Sequence, residues 1–319
     1  AGVGLGLFIT ALAVVINPGV WPLALPFALL WLAAPAIARR ISLPRADRIA
    51  APLAEVDRDT LRLIARRTWR YFETFVTEAN HFLPPDNFQE IPRPVVAQRT
   101  SPTNIGLYLL SVTVAKDMGW IGQAEAVTRL EQTLATIQTM PRFRGHLANW
   151  YDTTDLRMLE PAYVSTVDSG NLAGHLIAVA QACQHWESAP GETDPRGLKD
   201  AQALALQALA ADPDPQLLKV LTQVAERPDL LPLARTLADQ HSPGSELAFW
   251  VEAIARCHAS GLAPPAPPER LRAVGQLAHQ LAMEMDFRFL MQPEKKLLSI
   301  GFLIATNTLD ANCYDLLAS

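Results

Sequence analysis

Hydrophobic and polar positions divide the chain at its N-terminal end. Residues 1–38 contain no charged side chain, and the turn signal Asn17-Pro18-Gly19 splits this run into Ala1–Ile16 and Val20–Ala38. The second stretch has 19 residues and, at about 1.5 Å per residue, nearly crosses a hydrocarbon core of about 30 Å. The pattern predicts transmembrane helices over residues 1–40, paired as a hairpin, with the lipid bilayer as a partner. Trp21 suits an interface, whereas Trp31 falls mid-segment and is expected to pack. No basic region precedes the run, so a signal peptide fits poorly. Arg39, Arg40, Arg45 and Arg48 follow with only Asp47 against them. The positive-inside rule then places residues 41–319 in the cytoplasm. The alternative is a hairpin buried in a large soluble domain.

Beyond residue 41 the apolar positions recur at helical spacing. A helix over 57–79 carries Leu61, Ile64, Thr68, Phe72, Phe75 and Val76 on one stripe, with Asp57 or Asp59 as cap and Pro84-Pro85 as terminator. Thr100-Ser101-Pro102 starts a second helix, a cap residue followed by proline in the first turn, running to Gly119. A third spans Gln123–Thr139 and stops at Pro141. A long stretch without period, 141–167, precedes a fourth helix over 169–186. Further helices are predicted over 197–211, 215–226, 230–240, 244–259 and 268–284, with loops at 191–195 and 263–268. Around Gln292-Pro293-Glu294 the pattern alternates, predicting a small β-hairpin. Helix after helix with little strand predicts an all-α fold. Gly106, Gly170 and Gly174 are expected to mark close helix packing.

Composition narrows the function classes. A net charge of −5 and a pI near 5.8 exclude a basic nucleic-acid footprint. Cys183, Cys257 and Cys313 are too far apart for a disulfide scaffold or a Cys-x-x-Cys zinc site. His146 and His175 lack a third ligand at zinc spacing, and no dinucleotide or P-loop motif is present, so no metal and no cofactor is expected. Residue 1 is Ala inside an apolar run, as in a piece of a longer protein.

The unusual chemistry sits in two loops. The segment 83–90 packs Asp86, Asn87, Phe88, Gln89 and Glu90 together, with Arg99 close behind. The segment 145–171 offers Asn149, Trp150, Tyr151, Asp152, Asp155, Glu160, Tyr163, Asp168 and Asn171. Sugars present hydroxyls to carboxylates and amides, and C–H faces to aromatic rings, so these residue types suit a carbohydrate. Trp150, Tyr151 and Asp152 sit where no apolar period asks for an aromatic pair, which suggests ring stacking beside a hydroxyl acceptor. Asp168 lies at a helix start, where the dipole favours its charged form and suits it to accept from hydroxyls or to cap, rather than to act as a general acid. Each carboxylate taken alone is also readable as a cap or a solvated loop charge. Residues 200–285 show no chemistry.

The strings LPPDNFQE, RTSPTNIGLYLLS, RFRGHLANWYDT, LEPAYVSTVDSGNLAGHL and SIGF…YDLLAS closely resemble the bacterial cyclic β-1,2-glucan synthases. The resemblance covers about 20–190 and 284–319, while 190–283 matches only in being helical. It implies a multi-pass inner-membrane protein with three activities. A glycosyltransferase domain extends a β-1,2-glucan from UDP-glucose, a middle (α/α)6-type toroid cyclises it by retaining transglycosylation, and a phosphorylase-like domain adjusts its length. On this resemblance, residues 1–40 are the last membrane hairpin and 41–319 the first part of a truncated glucoamylase-like toroid. The partners are then the β-1,2-glucan chain and the glycosyltransferase and phosphorylase-like domains of the same polypeptide. Asp86, Asn87, Glu90, Arg99, Asn149, Trp150, Tyr151, Asp152, Glu160, Asp168 and Asn171 are the candidate substrate-binding residues. The catalytic nucleophile and acid are expected beyond Ser319. A β-glucan hydrolase or phosphorylase on the same toroid, and a non-catalytic membrane-tethered glucan-binding scaffold, are the rival functions.

Overall fold

The computed structural model describes residues 2–42, 53–189, 193–241 and 243–314. The chain divides into two compact units, Ala1–Asp57 and Arg58–Ser319.

In the first unit, α1 (Gly2–Ile16) and α2 (Trp21–Ser42) are joined by a short 3₁₀ turn, Pro18–Val20. Asn17 makes that turn: its side-chain oxygen accepts from the Gly19 N–H at 3.1 Å. The two helices pack on each other where Gly6 faces Trp31, and a Cβ at Gly6 would overlap the indole. The packing role expected of Trp31 is therefore met. Only α2, among the described residues, is long and apolar enough to cross a membrane. α1, at 15 residues, reaches about 22 Å. Arg39 and Arg40 occupy the last turn of α2, while Arg45, Asp47 and Arg48 lie outside the described residues.

The second unit is mostly helical: α3 (Glu55–Phe75, entering from the first unit), α4 (Pro102–Asp117), α5 (Gln123–Thr139), α6 (Thr166–Ser188), α7 (Arg196–Leu209), α8 (Pro215–Leu221), α9 (Leu231–His241), α10 (Glu246–Leu262) and α11 (Pro268–Met283). One core forms where α6 packs between α4 and α11, with α3 and α5 alongside, around Trp69, Tyr108, Leu130, Leu176 and Val274. A second core joins α7 to α10 around Leu204, Leu217, Trp250 and Ile254. The predicted cap on α4 is in place: the Ser101 hydroxyl accepts from the Asn104 N–H at 3.2 Å, and Pro102 opens the helix.

α3 departs from its apolar stripe. It starts at Glu55, so Asp57 lies in the first turn and Asp59 inside the helix, and it ends at Phe75 rather than at Ala79. Leu61 and Ile64 are about half exposed, while Arg62, Arg66 and Trp69 are buried. Arg62 is held by Asp200 through two bonds, 3.2 and 2.6 Å, and by Asp194 at 3.3 Å. Trp120 Nε1 also donates to Asp200, at 2.8 Å. α3 thus faces both cores with a polar seam, because paired guanidiniums can be buried where they meet carboxylates.

Nine short strands frame the loops among the described residues: β1 (Phe88–Gln89), β2 (Val95–Val96), β3 (Arg99–Thr100), β4 (Tyr151–Asp152), β5 (Tyr163–Ser165), β6 (Met291–Gln292), β7 (Leu297–Leu298), β8 (Gly301–Leu303) and β9 (Thr308–Leu309). The predicted hairpin is β6–β7. The sequence pattern does not show the antiparallel pairs β1–β2 and β3–β4, or the sheet β5-β8-β9. That sheet covers a third small core of Val164, Leu290 and Phe302. Gly106 does mark close packing, since a Cβ there would strike His175 of α6. Gly170 and Gly174 face open space, contrary to expectation.

Candidate functional site

Two helix starts bring the predicted loops together. β5 runs straight into α6, so α6 begins at Thr166 and its cap is Ser165, whose hydroxyl accepts from the Asp168 N–H at 3.3 Å. Asp168 is thereby the carboxylate of the first turn rather than the cap. Thr103, in the first turn of α4, donates its hydroxyl to Asp168 Oδ1 at 2.6 Å and accepts from Asn171 Nδ2 at 3.2 Å. The next residue, Asn104, donates to Asp86 Oδ1 at 3.3 Å. The starts of α4 and α6 therefore each hold one carboxylate of the cluster, a placement the helix dipoles favour.

The β3–β4 pairing adds the aromatic surface. Arg99 on β3 donates Nε and Nη2 to Asp86 Oδ2 at 3.1 and 2.9 Å. Its guanidinium lies 4.6 Å from the centre of the Trp150 ring. Asn87 also donates to Asp86, at 3.0 Å. With the Asn149 amide oriented to satisfy both neighbours, its nitrogen donates to Asp168 Oδ2 at 3.2 Å and its oxygen accepts from Trp150 Nε1 at 3.3 Å. Asp86, Asn87, Arg99, Asn149, Trp150, Asp168 and Asn171 thus form one connected cluster, and Arg99 and Asn171 open to solvent.

Four predicted residues stand apart from it. Tyr151 is fully buried: its hydroxyl donates to the Pro141 carbonyl at 2.6 Å and accepts from the Ala148 N–H at 2.8 Å. It pins the loop to the core and offers no ring to a ligand. Tyr151 opens β4 with its ring in the core, while Trp150, just before the strand, is only half-buried, so the two rings do not form a paired platform. Asp152 turns back on its own loop, accepting from the Thr154 N–H at 2.8 Å and from the Thr154 hydroxyl. These bonds, with Arg157 nearby, hold its carboxyl below the usual range. Glu160 is exposed and accepts from the Ala162 N–H at 2.9 Å. Glu90, also exposed, lies past β1 and faces a different cleft. Asp155 is likewise local, paired with Arg157 at 3.1 Å.

The structure adds Thr103 and Asn104 to the cluster and sets further polar residues near it. Thr103 and Asn104 are one turn inside α4, where the sequence shows only a well-capped helix. Asp310 accepts from the Tyr163 hydroxyl at 3.4 Å. Burial, followed by the fields of Asp168 and Asp310, pushes the Tyr314 hydroxyl pKa up. Burial, with Asp310 beside it, pushes the Tyr163 phenol up to about 12, and burial with Asp86 does the same for Tyr71. All three phenols are therefore proton donors at neutral pH. Tyr163 was among the loop residues read from the sequence, whereas Tyr71 and Asp310 lie outside the quoted strings; β8 pairs with β5 and β9 with β8, which brings Asp310 to Tyr163.

Acceptors (Asp86, Asp168), donors (Arg99, Asn104, Asn171) and one indole face give the cluster groups that can exchange hydrogen bonds with hydroxyls and pack against C–H faces. Among the described residues, no group of three or more His, Cys, Asp or Glu side chains is placed to hold a metal. His146 is buried edge-on between Phe287 and Phe289, with ring centres 4.8 and 5.4 Å away.

Residues 63–175 match a family described as "Protein of unknown function (DUF3131)", a span that contains every cluster residue except Asp310 and Tyr314. The chain is 44% identical over 99% of its length to "Cyclic beta-(1,2)-glucan synthase NdvB" of Rhizobium meliloti (strain 1021). It spans 13% of that protein's length. The identity supports the family resemblance read from the sequence, as a fragment of a larger protein. At 99% coverage it also extends through 190–283, where the sequence reading found only helical character. Among solved structures, a putative glucoamylase from Bacteroides fragilis is similar at 18% identity and a TM-score of 0.35, covering 53% of this chain and 41% of that one. One from Bacteroides caccae is similar at 15% identity and a TM-score of 0.34, covering 49% and 39%.

Proposed function

We propose that this chain is part of a membrane-bound transferase that makes cyclic β-1,2-glucan, and that residues 41–319 contribute to the domain that closes the ring. The carrying observation is the 44% identity to a cyclic β-(1,2)-glucan synthase along 99% of the chain. The cluster around Asp86 and Asp168 supplies chemistry consistent with it. On this reading the domain is the first part of an (α/α)6-type toroid. α1 and α2 form a hairpin in the bacterial inner membrane, with Arg39 and Arg40 on the cytoplasmic side. The glycosyltransferase and phosphorylase-like functions belong to other parts of the same polypeptide.

Cyclisation exchanges one glycosidic bond for another, so a hydroxyl of the glucan's own far end must replace water as acceptor. A retaining pair of carboxyl groups stands about 5–5.5 Å apart, one as nucleophile and one as acid. The surface around that pair must hold two chain ends and exclude water. Here that is the task of the cluster. Trp150 presents a ring face to a glucosyl unit, and Asp168 accepts from sugar hydroxyls. Arg99, fixed by Asp86, keeps the indole oriented.

Asp168→Asn retains shape and removes the charged acceptor. Calorimetric titration of the detergent-solubilised chain with linear β-1,2-glucan should show at least tenfold weaker binding for this variant at unchanged fold. Equal binding by both proteins would overturn the assignment. Release of shortened linear glucan by the synthase that carries this segment would favour a hydrolase or phosphorylase instead.

A further inference from the structure

A second cleft opens on the other side of the 83–100 loop. It lies between α3, α10 and the β1–β2 hairpin and has a volume of about 900 Å³, the upper end of ordinary ligand pockets. Its floor is the Glu73 carboxylate, 7% exposed, held by Arg66 at 2.8 Å and facing Arg256 at 3.8 Å. Arg66 is buried against Trp250, 5.2 Å from the ring centre, and its Nε and Nη2 have no partner in the structure. Buried guanidinium N–H groups require an acceptor.

The walls carry the rest of the recognition chemistry. Arg70 stacks on Phe249 at 4.2 Å, and Arg256 lies 5.3 Å from the same ring. Opposite them, Phe75 and Phe88 meet at 4.9 Å, with Glu90 beside them. Guanidiniums and carboxylates both line the cleft: Arg67, Arg70, Arg129 and Arg256 with Glu73, Glu90 and Glu246. Such near-balanced charge does not attract a polyanion. It offers donors and acceptors to neighbouring hydroxyls and apolar rings to C–H faces.

We propose that this cleft binds a neutral oligosaccharide, a second segment of the same glucan that the Asp86–Asp168 cluster holds. The identity of the sugar rests on the function proposed above. The two sites share one loop, since the Tyr71 hydroxyl in the cleft wall donates to the Pro85 carbonyl at 2.8 Å, next to Asp86. A glucan held at both would have its two distant parts fixed on one rigid body, as ring closure needs.

The test is titration of the detergent-solubilised full chain with a linear β-1,2-gluco-oligosaccharide too short to reach both sites at once. Wild type should bind with two sites per chain. Arg70→Gln/Arg256→Gln should lose one site, or weaken it about tenfold, while Trp150→Ala loses the other. Equal melting temperatures for Arg70→Gln/Arg256→Gln and wild type exclude misfolding. If that variant unfolds, Glu90→Gln, at an exposed position, takes its place. Undiminished two-site binding by the cleft variant, or one site removed by Trp150→Ala alone, would overturn the cleft and leave the proposed function standing. No glucan binding by wild type would overturn both, and binding of dextran sulfate at the cleft in preference to glucan would replace the neutral ligand with an anion.

Discussion

Substituting Tyr151 by Phe should cost stability and spare glucan binding, whereas Trp150→Ala, at the adjacent position, should do the reverse. The Tyr151 ring is fully buried and its hydroxyl bridges the Pro141 carbonyl and the Ala148 N–H at 2.6 and 2.8 Å. Phe keeps the ring and strands the buried Ala148 N–H. An unmet buried donor costs about 1–3 kcal/mol, while the exposed Pro141 can find water. For a domain of this size that is a fall in Tm of about 2–10 °C. Trp150 is only half-buried. Its contact with the half-exposed Arg99 is worth about 0.5–1 kcal/mol, so Trp150→Ala should lower Tm by no more than a few degrees. Losing the sugar platform should weaken binding at least tenfold, about 1.4 kcal/mol. Thermal unfolding followed by circular dichroism, with calorimetric titration of linear β-1,2-glucan on the same samples, reads both quantities. A Tyr151→Phe protein with native Tm and weakened binding, or a Trp150→Ala protein that binds as wild type, would refute the division of labour between Trp150 and Tyr151.

Three further outcomes follow from the structure. Arg62→Met should destabilise by about 3–5 kcal/mol, because Asp200 is left buried and uncompensated; Arg62→Met/Asp200→Leu should recover much of that loss in denaturant unfolding, and no recovery would argue against a charge clasp. Burial lowers the His146 pKa below its ordinary value of 6.5. The folded state keeps this ring neutral while the unfolded chain binds a proton, so its contribution is full above pH 6.5 and is lost as pH falls below it; His146→Leu should flatten the Tm profile between pH 6.5 and 5, and an unaltered profile would refute the assignment. Ser42→Cys, at the end of α2, should resist a membrane-impermeant thiol reagent applied to the periplasmic side of intact cells, and efficient labelling would reverse the orientation.

The helices of the second unit were legible because their signals are local. Ser101-Pro102, the period of Gln123–Thr139 and the proline start of α11 each act within one or two turns, and the elements appear within a few residues of their expected bounds. The α3 face was misread because hydrophobic periodicity cannot anticipate Asp200, 138 residues away, which makes burial of Arg62 favourable. The strands were invisible for a similar reason. Val164 pairs with Phe302 and Arg99 with Asp152, and two- or three-residue strands leave no alternation to read. Of the candidate site, the loops and their carbohydrate-like composition were visible. Which side chains face outward was not, because that depends on hydrogen-bond partners: the Pro141 carbonyl and the Ala148 N–H hold Tyr151 inward, while Trp150 beside it stays half-buried. Tyr314 and Asp310 reach the site only through β8 and β9.

The central claim, that this segment serves ring closure of a β-1,2-glucan, is tested most directly by exchange. The 319 residues replace the matching segment of the Rhizobium meliloti synthase in cells lacking their own enzyme, and the glucans are examined by mass spectrometry. The account predicts cyclic β-1,2-glucan from the exchanged protein, and linear chains with few or no rings when the segment carries Asp168→Asn. Undiminished ring formation by the Asp168→Asn protein would contradict it.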